Sequence, residues 1–246
     1  MAGKKKTEGE AKKPKVQKFG HGKKYLDAIK KIDRDNLYTV DEALNLVKET
    51  STVKFDATVE LHMQMGVDPK KADQNIRGTV NLPAGTGRVQ RVLVLAEDET
   101  AKKALAAGAD FAGLEEMIEK IAKGWMDFDV VIATPAVMPK VGKLGQTLGT
   151  KGMMPNPKSG TVTADVEKAV KEFKAGKVEF RVDKDAIMHL GFGKVSFEPK
   201  DLKANLNALM STVKAAKPAT AKGIYIRKAT IASTMGPGIK LDINSL

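Results

Sequence analysis

The chain has 246 residues, carries 42 Lys and Arg against 30 Asp and Glu for a net charge of +12, and contains no cysteine. That length suits one large or two modest domains, and the missing thiols exclude disulfides, Cys-based zinc sites and thiol catalysis. Hydrophobic residues make up 42% of the sequence and aromatic ones 5%, so any core must rest on Val, Ile, Leu, Ala and Met.

Residues 1–20 are Lys, Gly, Glu and Pro with almost no apolar content, and they are expected to form a disordered basic tail. The start, Met1-Ala-Gly-Lys-Lys-Lys6, has no apolar run of secretory type, and no stretch approaches a transmembrane length, so a cytoplasmic protein is expected. From Tyr25 the pattern turns helical, with Tyr25, Leu26, Ile29 and Ile32 on one face. Thr39 caps a second helix: Glu42 completes a capping box, and Val40, Ala43, Leu44 and Val47 form the apolar stripe. Alternation at Ala57, Val59, Leu61, Met63 and Met65 predicts a half-buried strand. Asp68-Pro69 breaks it, a strand resumes over 76–82, and Pro83-Ala-Gly-Thr-Gly87 reads as a hinge.

From residue 86 the texture changes. Val89 to Leu95 is almost continuously apolar, helices are predicted over 100–107 and 114–122, and Val130 to Ala133 is a second buried strand. Strands apolar on both faces, alternating with helices, predict a parallel sheet covered on each side. The Gly/Pro/Lys-rich stretch 140–160 reads as loop, and a helix follows over 166–174. Alternation then returns at Val178, Phe180 and Val182, and an amphipathic helix covers 202–213. Ile224, Ile226 and Ile231 belong to a long strand, and Ile239 to Ile243 form a last short one. Together these patterns predict an α/β protein of two domains. A discontinuous α+β domain with alternating strands, 21–85 and 177–246, receives an inserted parallel α/β domain, 86–176.

The net charge divides unevenly: +7 in residues 1–24, −2 in 25–85, +1 in 86–176 and +6 in 177–246. A polyanion suits such ends, though Lys-rich ends also serve solubility. A nucleotide would suit the α/β middle, but neither Gly142-Lys-Leu-Gly145-Gln-Thr-Leu-Gly149 nor Gly85-Thr-Gly87 has dinucleotide spacing, and no Walker A sequence occurs. Ser51-Thr-Val-Lys54 and Ser211-Thr-Val-Lys214 lack the companion motifs of serine acylases. His21, His62 and His189 show no i, i+4 pairing, so no metal, cofactor or catalytic group is expected, and the chain does not read as an enzyme.

RNA is a better match. Leu190-Gly-Phe-Gly-Lys-Val-Ser-Phe197 fits six of eight positions of the RNA-recognition core sequence, with Lys194 where a stacking aromatic would stand. A Gly-bearing strand entry accounts for it better. Lys54-Phe55 precedes the strand bearing Thr58 and Glu60, and Thr234-Met-Gly-Pro237 follows the long C-terminal strand. A hydroxyl, a flexible apolar side chain and an exposed Gly backbone suit the minor groove of RNA. Each segment alone reads more readily as an ordinary turn than as a site.

Twelve short motifs, these two among them, run in order: His21-Gly-Lys-Lys-Tyr25, Tyr38-Thr-Val-Asp-Glu-Ala43, Lys54-Phe-Asp-Ala-Thr-Val-Glu60, Asp68-Pro69, Asp73-Gln-Asn-Ile-Arg-Gly-Thr-Val80, Gly124-Trp-Met-Asp-Phe-Asp129, Ala133-Thr-Pro135, Gly152-Met-Met-Pro-Asn-Pro157, Gly160-Thr-Val162, Lys174-Ala-Gly176, Phe180-Arg181 and Thr234-Met-Gly-Pro237. A chain with these motifs resembles the L-one family of large-subunit ribosomal proteins, bacterial type, over nearly its full length. The resemblance implies that the discontinuous domain is the main unit binding large-subunit rRNA and that the insert is Rossmann-like and joined by two hinges. It further implies a place on the mobile stalk beside the ribosomal exit site and help in releasing deacylated tRNA. Repression of translation, through a look-alike hairpin in the protein's own messenger RNA, is implied as well. No cofactor, small-molecule substrate or membrane is implied. Carried over position by position, the rRNA-facing residues are Lys54, Phe55, Thr58, Glu60, Thr234, Met235 and Gly236, with Arg181, Lys184, His189 and Lys194 as neighbours. Two features depart from the family pattern: residues 1–20 extend beyond its shorter N-terminus, and Thr150 stands where Pro is commoner.

Overall fold

The computed structural model describes residue 20 and residues 22–245, so the tail expected over 1–20 lies outside the described residues except for Gly20. In chain order the elements are α1 (Lys23–Lys30), α2 (Val40–Thr50), β1 (Thr58–Met65), β2 (Arg77–Asn81), β3 (Val92–Leu95), α3 (Asp98–Ala106), β4 (Phe111–Gly113), α4 (Glu115–Ala122) and β5 (Val130–Ala133). They continue with α5 (Met138–Val141), α6 (Gly145–Thr150), α7 (Val166–Ala175), β6 (Lys177–Arg181), β7 (Ile187–Lys194), α8 (Pro199–Ala215), β8 (Ile226–Ser233) and β9 (Ile239–Leu241). Mixed helix and strand, with parallel and antiparallel pairing, makes this an α/β protein.

Among the described residues the strands form three sheets. The largest is antiparallel with strand order β7-β1-β8-β9. On β1 the alternation works as the sequence predicts: Val59, Leu61, Met63 and Met65 are buried, and the residues between them are half-exposed. Helices α2 and α8 cover the buried face. The start of α2 is held by its capping box, in which the Thr39 N–H donates to Glu42 Oε2 at 3.1 Å. Strands β2 and β6 form an antiparallel two-stranded ribbon. The third sheet is parallel, order β4-β3-β5.

The apolar cores follow the same division. One core draws on residues from Ile32 to Leu82 and from Phe180 to Leu241. Two others lie on opposite faces of the parallel sheet: Val92 and Val94 point into one, Leu93 and Leu95 into the other. Where the chain passes between these groups, the backbones of Gly85 and Gly176 meet. A Cβ on Gly176 would lie 2.7 Å from Gly85 Cα, and both glycines have positive φ, 72° and 111°. Asn205, fully buried on α8, ties this crossing down: its Oδ1 accepts the Ala84 N–H, and its Nδ2 donates to Gly85 O and Phe192 O, all within 2.8–2.9 Å.

Several expectations need correcting. The first part of the stretch 140–160 is not a loop, because the end of α5, a 3-10 turn (Gly142–Leu144) and α6 run through it and bury Val141, Leu144 and Leu148. Val89 is 84% exposed and precedes the buried strand, which begins at Val92. Leu26 and Ile224 are exposed rather than core residues, and Ile243 lies in a 3-10 turn beyond β9. Among the described residues no helix is long and apolar enough to cross a membrane.

Candidate nucleic-acid interface

The half-exposed face of the antiparallel sheet is built in rows by strand register. His189, His62, Thr230 and Lys240 stand side by side across all four strands. The row above holds Gly191, Glu60 and Ala232, and the row below holds Ile187, Gln64 and Lys228. A register shift on β1 between Val59 and Glu60 leaves an extra residue on β7, so that Lys194 pairs with Thr58. The extra residue makes the parity of β7 change: Phe192 and Gly193 are both buried, and Lys194 comes out on the open face.

Around Lys194 lies the end of the sheet where most of the expected residues meet. Thr234 N–H donates to Thr58 O at 3.0 Å, and Thr58 N–H donates to Thr234 Oγ1 at 3.2 Å. The Thr234 hydroxyl in turn donates to Thr58 O at 3.3 Å, and Lys194 Nζ donates to Thr58 Oγ1 at 3.0 Å. A hydroxyl has one proton and two lone pairs, so Thr234 Oγ1 retains one acceptor site for a partner. Its first task is inside the protein.

Beyond Thr234 the backbone turns sharply. Met235 has φ 66° and is 74% exposed. A left-handed conformation costs a non-glycine residue about 1–2 kcal/mol, and here it holds a large apolar side chain in solvent. Gly236 N–H donates to Ser233 O at 2.8 Å, and a Cβ on Gly236 would come within 2.2 Å of Ser233 Oγ. Any side chain at this position would have to displace the buried Ser233 hydroxyl, before any partner approaches. Phe55, in the bend that leads into β1, is 58% exposed at the same end, beside exposed Lys54.

The other expected residues stand elsewhere. His189 lies mid-face, its Nδ1 2.8 Å from His62 Nδ1, with His62 Nε2 3.7 Å from Glu60 and His189 Nε2 3.5 Å from Asp183. Burial lowers the pKa of His62 from the usual imidazole value of 6.5, and the charge of His189 lowers it further against the pull of Glu60. Hydrogen bonds from the backbone N–H groups of Ile187 and Asp185 hold the Asp183 carboxyl below its ordinary value despite an opposing effect of burial, with His189 adding to them. Arg181 and Lys184 lie at the far end of β7, roughly 20 Å from Lys194 at ~3.3 Å per strand residue. With Lys70, Arg77, Asp183 and Asp185 they line a cleft of about 730 Å³.

Sequence reading did not single out Lys228 and Lys240, which share the open face, or Ser233, whose buried hydroxyl has no hydrogen-bond partner among the described residues. The segment from Leu190 to Phe197 is a strand and turn: Leu190 and Phe192 are buried, so neither can stack on a base. In the parallel sheet, the crevice beside the ends of β3 and β4 is lined by Glu97, Asp98, Glu115 and Glu116, against Lys102. That crevice would repel the phosphates a nucleotide presents.

Cations and hydroxyls on one open sheet face, with exposed apolar side chains in the turns at its end, are the chemistry of a nucleic-acid-binding protein. The family model described as the ribosomal protein L1p/L10e family matches residues 47–237, and the chain belongs to that family. Membership carries a structural, rRNA-binding role in the ribosome.

Proposed function

We propose that the chain binds large-subunit rRNA through the end of the antiparallel sheet where Thr58, Thr234, Met235, Gly236, Lys54, Phe55 and Lys194 converge. The observation that carries this is Met235: an exposed apolar side chain is held in an unfavourable backbone conformation at the one tip that the family motif Thr234-Met-Gly-Pro237 defines. Lys54 and Lys194 meet phosphates. Phe55 and Met235 lie against sugar or base surfaces, and the remaining lone pair of Thr234 accepts from a 2′-hydroxyl. Glu60 and His189 border this contact.

Residues 21–85 and 177–246 form the RNA-binding domain, and residues 86–176 form a Rossmann-like domain inserted through the Gly85 and Gly176 crossing. The division of the cores supports this reading. As the family resemblance implies, the protein sits on the mobile stalk near the exit site, in cytoplasmic ribosomes, and assists release of deacylated tRNA. The same surface represses translation by binding a similar hairpin in its own messenger RNA.

A gel-shift titration tests the proposal. The full chain should bind a stalk fragment of large-subunit rRNA with a steep salt dependence, prefer it to a scrambled hairpin, and ignore nucleotide cofactors. Equal affinity for the scrambled hairpin would overturn it.

A further inference from the structure

The bend carrying Lys54 and Phe55 belongs to no strand, yet the side chain of Asp56 ties it to the turn after β7. Asp56 Oδ1 accepts the Ser196 N–H at 3.1 Å, and Asp56 Oδ2 accepts the Ser196 hydroxyl at 2.8 Å. The backbones reinforce the contact: Val195 N–H donates to Ala57 O at 2.9 Å, and Lys194 Nζ reaches Asp56 O at 3.3 Å. On the other side of the same turn, Lys48 Nζ donates to Phe197 O at 2.6 Å. Two pieces of chain 140 residues apart are thereby fixed to each other at the recognition end.

Asp56 is exposed, so its carboxylate stands where RNA phosphates would approach. Like charge there opposes binding. Both of its oxygens are turned toward Ser196. A negative charge kept at a polyanion-binding end is explained if the geometry it imposes outweighs the repulsion it causes.

We propose that Asp56 is a positioning residue for RNA recognition: by clamping the Ser196 turn to the Lys54–Phe55 bend, it sets Lys54, Phe55 and Lys194 relative to the Thr58–Thr234 tip. This rests on the reading of that tip as the RNA contact. The clamp and the charge predict opposite signs. Removing the carboxylate removes repulsion, so electrostatics alone gives tighter RNA binding. Loss of the clamp gives weaker and less selective binding.

The test uses the full chain, the stalk fragment and the scrambled hairpin, with melting curves as the folding control. Asp56→Ala should weaken the stalk-fragment complex at least tenfold and reduce the preference over the scrambled hairpin, with a wild-type melt. Asp56→Asn, whose amide oxygen can still accept from Ser196, should fall between Asp56→Ala and wild type. Ser196→Ala should weaken binding while keeping the charge, and should carry the test if Asp56→Ala melts early. The double variant should be no worse than Asp56→Ala, as expected for two residues acting through one contact. Unchanged or tighter binding by Asp56→Ala, while Thr234→Ala is weakened, would overturn the positioning role alone. Wild-type binding by both variants would overturn the RNA contact beneath it as well.

Discussion

In the parallel sheet, Val92 and Val94 pack into one core and Leu93 and Leu95 into the other, so both faces are taken up by packing. In the antiparallel sheet, Val59, Leu61 and Met63 pack against α2 and α8, while Glu60, His62, Thr230 and Lys240 on the reverse face remain partly in water. The difference follows from connectivity. Helical crossovers between parallel strands lie on the sheet and cover it, whereas antiparallel strands can leave one face bare. A flat, polar, hydrogen-bonding surface for RNA is thus available on one sheet and structurally excluded on the other.

Deforming the tip of the open sheet should have the largest effect on RNA binding. Gly236→Ala places a methyl group within 2.2 Å of Ser233 Oγ, so that the hydroxyl or the turn must shift. The stalk-fragment complex should weaken about a hundredfold or more, roughly 2.7 kcal/mol. Adding Ser233→Ala should restore part of that loss, because the hydroxyl in the way has no hydrogen bond to lose. A single variant with wild-type affinity would mean the turn does not contact RNA.

Removing the sheet without an open face should matter much less. Since Gly85 and Gly176 touch, a short Gly/Ser linker can join residue 85 to residue 177 in place of 86–176. Binding to the stalk fragment should stay within about tenfold, roughly 1.4 kcal/mol. A thousandfold loss with the remaining chain folded would assign RNA contacts to residues 86–176.

The smallest effect concerns pH. His62 has a folded pKa depressed below 6.5 by burial and by His189. A depressed pKa contributes stability that is present above the unfolded value and lost as pH falls below it. Melting temperature should therefore decline on going from about pH 7 to about pH 5, and His62→Gln should lessen that decline. RNA affinity should move the other way over the same interval, because protonation adds positive charge to the open face. Identical pH profiles for wild type and His62→Gln would remove His62 from both effects.

Much of this architecture was legible in the sequence because it is periodic. Alternation marked β1, the capping box marked α2, and uninterrupted apolar runs marked β3 and β5. The α5–α6 region was misread because Gly and Pro suggested a loop, yet Val137, Val141, Leu144 and Leu148 recur at helical spacing and are all buried. Features set by tertiary contact left no such trace. Simple alternation from Leu190 and Phe192 would bury Lys194, and only the shift in pairing with β1 turns it outward. Likewise the motif Thr234-Met-Gly-Pro237 announced a turn but not the left-handed Met235, nor the use of the Thr234 hydroxyl against Thr58.

Recognition by an uncharged, preformed tip, with lysines supplying attraction but no selectivity, is the central claim. Measuring stalk-fragment affinity at several salt concentrations for Thr234→Ala and Lys194→Ala, with melting curves, tests it most directly. Thr234→Ala should weaken binding roughly ten- to a hundredfold, about 1–3 kcal/mol, with the salt slope unchanged. Lys194→Ala should lower the logarithmic slope by up to about 0.9 while preserving preference over the scrambled hairpin. Wild-type affinity in Thr234→Ala, or a loss of preference in Lys194→Ala alone, would contradict the account.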